Sequence, residues 1–169
     1  STKKNKFIMK SIYKNFFKKR ANTDPIQKII SQVPIFEKLS DKELNQIIRL
    51  THVREYKLNE AVFKKLSPGE GMYIVIEGAI QISEPDSKVI FANLNSGDFF
   101  GELALLDEEP RSATAIATEE ARLIGFFRTD MLVLMKRYPD LGNKILLNLS
   151  RVLGERLRQT NLELTKKSN

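Results

Sequence analysis

The spacing of apolar residues along the chain changes twice, and each change marks a change of element. In residues 2–20, Ile8, Met9, Ile12, Tyr13, Phe16 and Phe17 recur at helical spacing, with Lys3, Lys4, Lys10, Lys14 and Lys18 on the opposite side. Asn22 to Pro25 breaks this leader, and Thr23 or Asp24 with Pro25 behind it opens a second helix to about Gln32. Ser40-Asp41-Lys42-Glu43 is a capping box that predicts a helix to about Leu50. From there the period falls to two. Val53, Tyr56, Val62, Tyr73, Val75, Ile80, Ile82, Ile90 and Ala92 sit in short runs, separated by Pro68-Gly69, Glu77-Gly78, Pro85-Asp86 and Ser96-Gly97. Short runs with frequent turn signals predict a β-barrel or sandwich, and residues 114–118 and 122–127 add two more strands. Helical spacing then returns. Thr129 or Asp130 is the expected cap of a helix to about Arg137, and Tyr138-Pro139 interrupts it. A long helix follows over about 140–164, with Leu141, Ile145, Leu146, Leu149, Val152, Leu153 and Leu157 along one side. Gly154 weakens it by about 1 kcal/mol relative to alanine and is a candidate point of bending. The reading divides the chain into a basic leader (1–22), a helix-flanked β-barrel (23–139) and a C-terminal helix and tail (140–169).

Charge sharpens this division. The chain of 169 residues carries a net charge of +7, but residues 1–20 hold eight Lys or Arg and no acid. The rest therefore holds 20 bases against 21 acids, which does not support a general nucleic-acid-binding body. A basic amphipathic leader has three readings: packing on its own domain, docking on a partner, or contact with an anionic membrane surface. The first is preferred, because six apolar residues left in water would promote aggregation. There is no cysteine, which excludes disulfides and thiolate chemistry and suits a cytoplasmic protein. The single histidine, His52, falls in an expected strand and reads as structural, which leaves no histidine for Ser-His-Asp or Cys-His catalysis. The longest aliphatic run, 131–135, is far short of the ~20 residues of a membrane span.

Candidate chemistry is concentrated in residues 98–115, DFFGELALLDEEPRSATA. Gly101 has no side chain to keep a ligand away and tolerates unusual backbone angles. If Glu102 to Leu105 make one helical turn, the N–H groups at its start favour an anion, most naturally a phosphate. Ala104 is small enough for close approach, and Pro110 stiffens the return to Arg111, a permanent cation with forked donors. Ionised Glu102 can only accept hydrogen bonds, which suits a sugar hydroxyl and repels a phosphate. A cyclic nucleotide would satisfy both residues. Asp107, Glu108 and Glu109 read as a solvated loop tip without a role.

Phe100, Gly101, Glu102, Leu103, Ala104, Leu105, Leu106, Pro110, Arg111, Ser112, Ala113 and Thr114 resemble the phosphate-binding cassette of the cyclic-nucleotide-binding domain family. That family includes protein kinase A regulatory subunits, gated channels and the catabolite activator protein. The resemblance implies an α+β fold, a jelly-roll-type β-barrel with N-terminal and C-terminal helices. It also implies a ligand site of Gly101, Glu102, Leu103, Ala104, Arg111, Ser112 and Ala113, with Glu102 on the ribose 2′-hydroxyl, Arg111 on the cyclic phosphate, and no metal. Ser112, directly after the arginine, is compatible with cAMP or cGMP, and cAMP is preferred. The expected role is a regulatory sensor and not an enzyme. Movement of the cassette would repack Leu103, Leu105 and Leu106 on the 131–135 helix and draw the last helix over the base. A protein effector and a homodimer through the last helix are the expected partners, and no DNA-binding motif follows Leu164. The alternatives are the same fold with an empty pocket acting as an interaction scaffold, or a fragment of a larger nucleotide-gated protein.

Overall fold

The computed structural model describes residues 24–167. The leader, with its helix and its three readings, lies outside them. The described residues contain eight strands: β1 (His52–Tyr56), β2 (Ala61–Phe63), β3 (Gly71–Glu77), β4 (Ile80–Glu84), β5 (Val89–Leu94), β6 (Phe99–Phe100), β7 (Thr114–Ala117) and β8 (Ala121–Phe127). They form two antiparallel four-stranded sheets, ordered β1-β8-β3-β6 and β2-β7-β4-β5. Before them come α1 (Pro25–Ser31), a 3₁₀ turn (Pro34–Phe36) and α2 (Asp41–Ile48). A second 3₁₀ turn (Glu102–Leu105) follows β6, and α3 (Arg128–Arg137) and α4 (Pro139–Lys167) close the chain. This is the expected jelly-roll-type α+β fold.

The local signals act as expected at most boundaries. Asp24 caps α1 by accepting the Ile26 N–H at 3.0 Å, and Pro25 occupies its first turn, where no amide partner is needed. The Ser40–Glu43 capping box closes both ways, at 3.3 and 2.8 Å. One boundary differs. Arg128 already opens α3, and Asp130 lies inside its first turn, with its carboxylate reaching back to the Phe127 N–H at 3.1 Å. His52 lies in β1 with its ring tilted against Phe127, centroids 5.3 Å apart, and 3.4 Å from Asp130.

β3 joins two cores. Tyr73 and Val75 point between the sheets, with Ile80, Phe100, Ala115, Ala117 and Leu123. Met72 and Ile74 point the other way, into a cluster with Ile124, Phe126 and residues of all four helices. Alternate side chains of a strand face opposite sides, so β3 is buried on both faces through Val75. Leu105 of the second 3₁₀ turn belongs to the helical cluster, beside Met131, Leu134, Leu141 and Ile145. The cassette is therefore built into the layer that also holds α3 and α4.

Candidate functional site

The site begins where β6 ends. Gly101 takes φ +76°, and a Cβ there would lie 2.7 Å from Arg111 Nη1 and 3.2 Å from the Gly71 carbonyl oxygen. Glycine is thus needed both for the angle and for the approach of the arginine. The 3₁₀ turn follows, with the Ala104 N–H donating to Gly101 O at 3.2 Å and the Leu106 N–H to Leu103 O at 2.9 Å. The return strand is anchored on residues 64–68. Pro110 bridges Pro68, Arg111 N–H donates to Ser67 O at 2.9 Å, and the Thr114 hydroxyl accepts the Lys65 N–H at 3.0 Å.

Arg111 is buried, with 7% of its surface exposed. Its Nη2 donates to Gly71 O at 2.6 Å and its Nη1 to Gly101 O at 3.3 Å. The guanidinium lies 4.1 Å from the centroid of the Phe63 ring. Its Nε is buried without a hydrogen-bond partner, and among the described residues no carboxylate pairs with it. Burial lowers its pKa, because a guanidinium taken from water loses hydration that carbonyls and a ring replace only in part. Native interiors seldom leave a buried donor unmatched. This arrangement suits an anion. The wall beside it is aromatic: Tyr73 stacks on Phe100 at 5.6 Å and Phe63 packs on both. Burial pushes the Tyr73 phenol up, and that of neighbouring Tyr56 as well.

Glu102 is the second buried charge, with 4% exposure. Its carboxylate is not paired with Arg111. It accepts a hydrogen bond from Nη1 of Arg156, a half-exposed residue of α4 whose guanidinium stands 4.8 Å from the Phe99 ring centroid. Sequence reasoning missed Arg156. Its position continues the stripe of Ile145, Leu149 and Val152, and a cation on an apolar stripe was the available signal.

All seven expected site residues fall in this one cassette, though not equally. Glu102, Ala104, Arg111 and Ala113 are buried and Gly101 is half-buried, whereas Leu103 and Ser112 are exposed. Leu103 and Leu106 are 59% and 47% exposed, whereas Leu105 packs in the cluster that holds Met131 and Leu134 of α3. Among the described residues no group of acids and histidine could hold a metal ion. No described helix is long and apolar enough to cross a membrane.

Comparison with known proteins gives one answer. The sequence profile of the cyclic nucleotide-binding domain matches residues 53–138. The chain is 32% identical over 117 residues to a cyclic nucleotide-gated potassium channel of Rhizobium etli, covering 69% of this chain and 32% of the channel. The solved structure of the Thermus thermophilus catabolite activator protein superposes with a TM-score of 0.70 at 33% identity, over 80% of this chain and 63% of that one. The regulatory domain of Toxoplasma gondii protein kinase A, solved with cAMP, gives a TM-score of 0.60 at 27% identity, over 64% and 42%. The chain thus spans between about a third and three fifths of the relatives' lengths.

Proposed function

The chain belongs to the cyclic nucleotide-binding domain family, and we propose that it is a regulatory sensor that binds cAMP in preference to cGMP at Glu102 and Arg111. The observation that carries this reading is the buried Arg111, with an unmatched Nε–H and, among the described residues, no carboxylate paired with it. A cyclic phosphate supplies the missing charge and acceptor oxygens, and the start of the 3₁₀ turn adds amides. Glu102 then accepts the ribose 2′-hydroxyl, which a carboxylate does well and a phosphate could not share. Arg156 neutralises Glu102, so the carboxylate does not stand as a bare negative charge near the phosphate. Gly101, Leu103, Ala104, Ser112 and Ala113 shape the cradle. The preference for cAMP draws on the solved relative that holds it.

The signal leaves through α4. Arg156 ties that helix to the ribose end of the pocket, so nucleotide binding biases its position. The receiver is a protein effector or the remainder of a larger nucleotide-gated protein, in the cytoplasm. Leu146, Leu153 and Leu157 lie on one side of α4 at the four-and-seven spacing of a helix seam, which fits a homodimer through that helix. The part assigned to the chain is that of a sensor and not of an enzyme.

One observation favours the alternative of an empty-pocket scaffold: the chain's own carbonyls hold Arg111 and its own Arg156 holds Glu102. Calorimetric titration with cAMP, cGMP, linear AMP and cyclic dinucleotides separates the two. Saturable binding of cAMP, weaker binding of cGMP and none of AMP is expected. No heat with any of the four would favour the scaffold.

A further inference from the structure

Arg128 is a cation at the end of a helix where cations are disfavoured. It is the first residue of α3, at the positive end of the helix dipole. Its side chain turns away from that end and back over the cassette. Nη1 donates to the carbonyls of Gly69 at 2.8 Å, Ala104 at 3.1 Å and Asp107 at 2.6 Å. Nη2 lies 3.3 Å from the Glu108 carboxylate, and the Arg128 backbone N–H donates to Glu70 O at 2.8 Å. Glu108 is 85% exposed, so its pairing adds little; the three carbonyls do the holding.

Those carbonyls belong to two segments that meet at the pocket. Ala104 and Asp107 lie at the carbonyl end of the 3₁₀ turn, opposite the amide end that faces the phosphate in the reading above. Gly69 lies in the turn before β3, packed so tightly on the cassette that a Cβ there would come 2.8 Å from Glu109 O. Two residues further on, Gly71 supplies the carbonyl that receives Arg111. Arg128 and Arg111 therefore both bind carbonyls of the 69–71 segment and of the cassette. Behind Arg128, Met131 and Leu134 of α3 share one core with Leu105 of the cassette and Leu141 and Ile145 of α4.

We propose that Arg128 is a positioning residue that fixes the cassette for the phosphate and carries cassette movement into α3 and α4; this rests on the nucleotide-binding reading. The guanidinium caps the carbonyl end of the turn as an anion would meet its amide end. Because it is also the first residue of α3, a shift of the cassette must pull on that helix.

The test compares the wild-type chain with Arg128→Ala, Arg128→Lys and Glu108→Gln. Affinity for cAMP is read by calorimetry, and amide exchange over residues 128–153 is read with and without saturating cAMP. Arg128→Ala should bind about tenfold or more weakly, and Glu108→Gln within about twofold of wild type. Lysine should restore only part of the affinity, because an ammonium lacks the planar fork. At saturation, Arg128→Ala should lose the nucleotide-dependent change in exchange that the wild type shows. A purely structural residue would weaken binding yet leave that change intact, and this result would overturn the proposal, as would wild-type affinity in Arg128→Ala. If the alanine variant does not fold, Arg128→Lys carries the same comparison. A wild-type chain that binds no cyclic nucleotide defeats the reading and this proposal together, whereas failure in the variants alone defeats only the role of Arg128.

Discussion

The two halves of α4 share one helix and differ in what holds them. Over 139–153, Leu141, Ile145, Leu149 and Val152 are buried against α3, the first 3₁₀ turn and the outer face of the β1-β8-β3-β6 sheet. Asn148 is buried too, and its amide donates to Ile35 O at 3.2 Å and Glu37 O at 3.0 Å. Over 155–167 every residue is exposed. Links within the helix, such as Gln159 to Glu163 at 3.0 Å, support this half, and Arg156 ties it to Glu102. Isolated helices shorter than about 12–15 residues are marginal in water, so the outer half depends on the inner half as its nucleus. The inner half is core. The outer half lies outside the core, and under the proposed function it is the part of the helix that a bound nucleotide would move.

The sharpest way to break this contrast is to remove packing from each half. Ile145→Ala should cost about 2–5 kcal/mol of stability, the usual loss for an emptied core position. Leu157→Ala, at 63% exposure, should stay within about 0.5 kcal/mol. Urea unfolding of both variants would show it, and equal losses would erase the distinction. A smaller effect is expected at the point where the outer half meets the pocket. Arg156→Ala should lower stability by about 1 kcal/mol, since the arginine is half exposed, and should weaken cAMP binding by leaving Glu102 unpaired. Unchanged affinity in that variant would detach α4 from the site.

The smallest effect concerns the inner half and acid. The Lys144 ammonium, 2.6 Å from Glu43, holds that carboxyl below its usual range, helped by the Ser40 N–H. A carboxyl with a lowered folded-state pKa contributes stability above its unfolded value, and the contribution is lost as pH falls through the folded value. Lys144→Met should therefore cost about 0.5 kcal/mol at pH 7 and nothing once Glu43 is protonated. Melting temperatures of both proteins from pH 7 down to acid should converge; a constant gap would show that the lysine acts through packing.

Local chemistry was legible in the sequence, and long-range pairing was not. The capping box at Ser40, the proline break at 138–139 and the alternation of the strands each depend on neighbours in the chain, so spacing alone revealed them, while the cassette was legible through its resemblance to a family pattern. The apolar stripe of α4 ran on to Leu157 in the sequence, but burial ends near Leu153 because the helix outlasts the core it packs against. A stripe shows which face is apolar and not how far the partner extends. The partner of Glu102 stands 54 positions away, and Arg128 meets carbonyls 21 to 59 positions distant. Backbone carbonyls leave no trace in the residue types that carry them. The start of α3 was misplaced for a related reason: Asp130 caps from inside the first turn, which in sequence looks like a cap before it.

The central claim is that Arg111 holds a cyclic phosphate. Calorimetric titration of cAMP into the wild-type chain and into Arg111→Ala, with folding of the variant checked by its melting curve, tests it most directly. Saturable wild-type binding that weakens by about 2–4 kcal/mol in the variant is predicted, since a buried charge-assisted partner is removed. A folded Arg111→Ala protein that binds cAMP as tightly as the wild type would contradict the account.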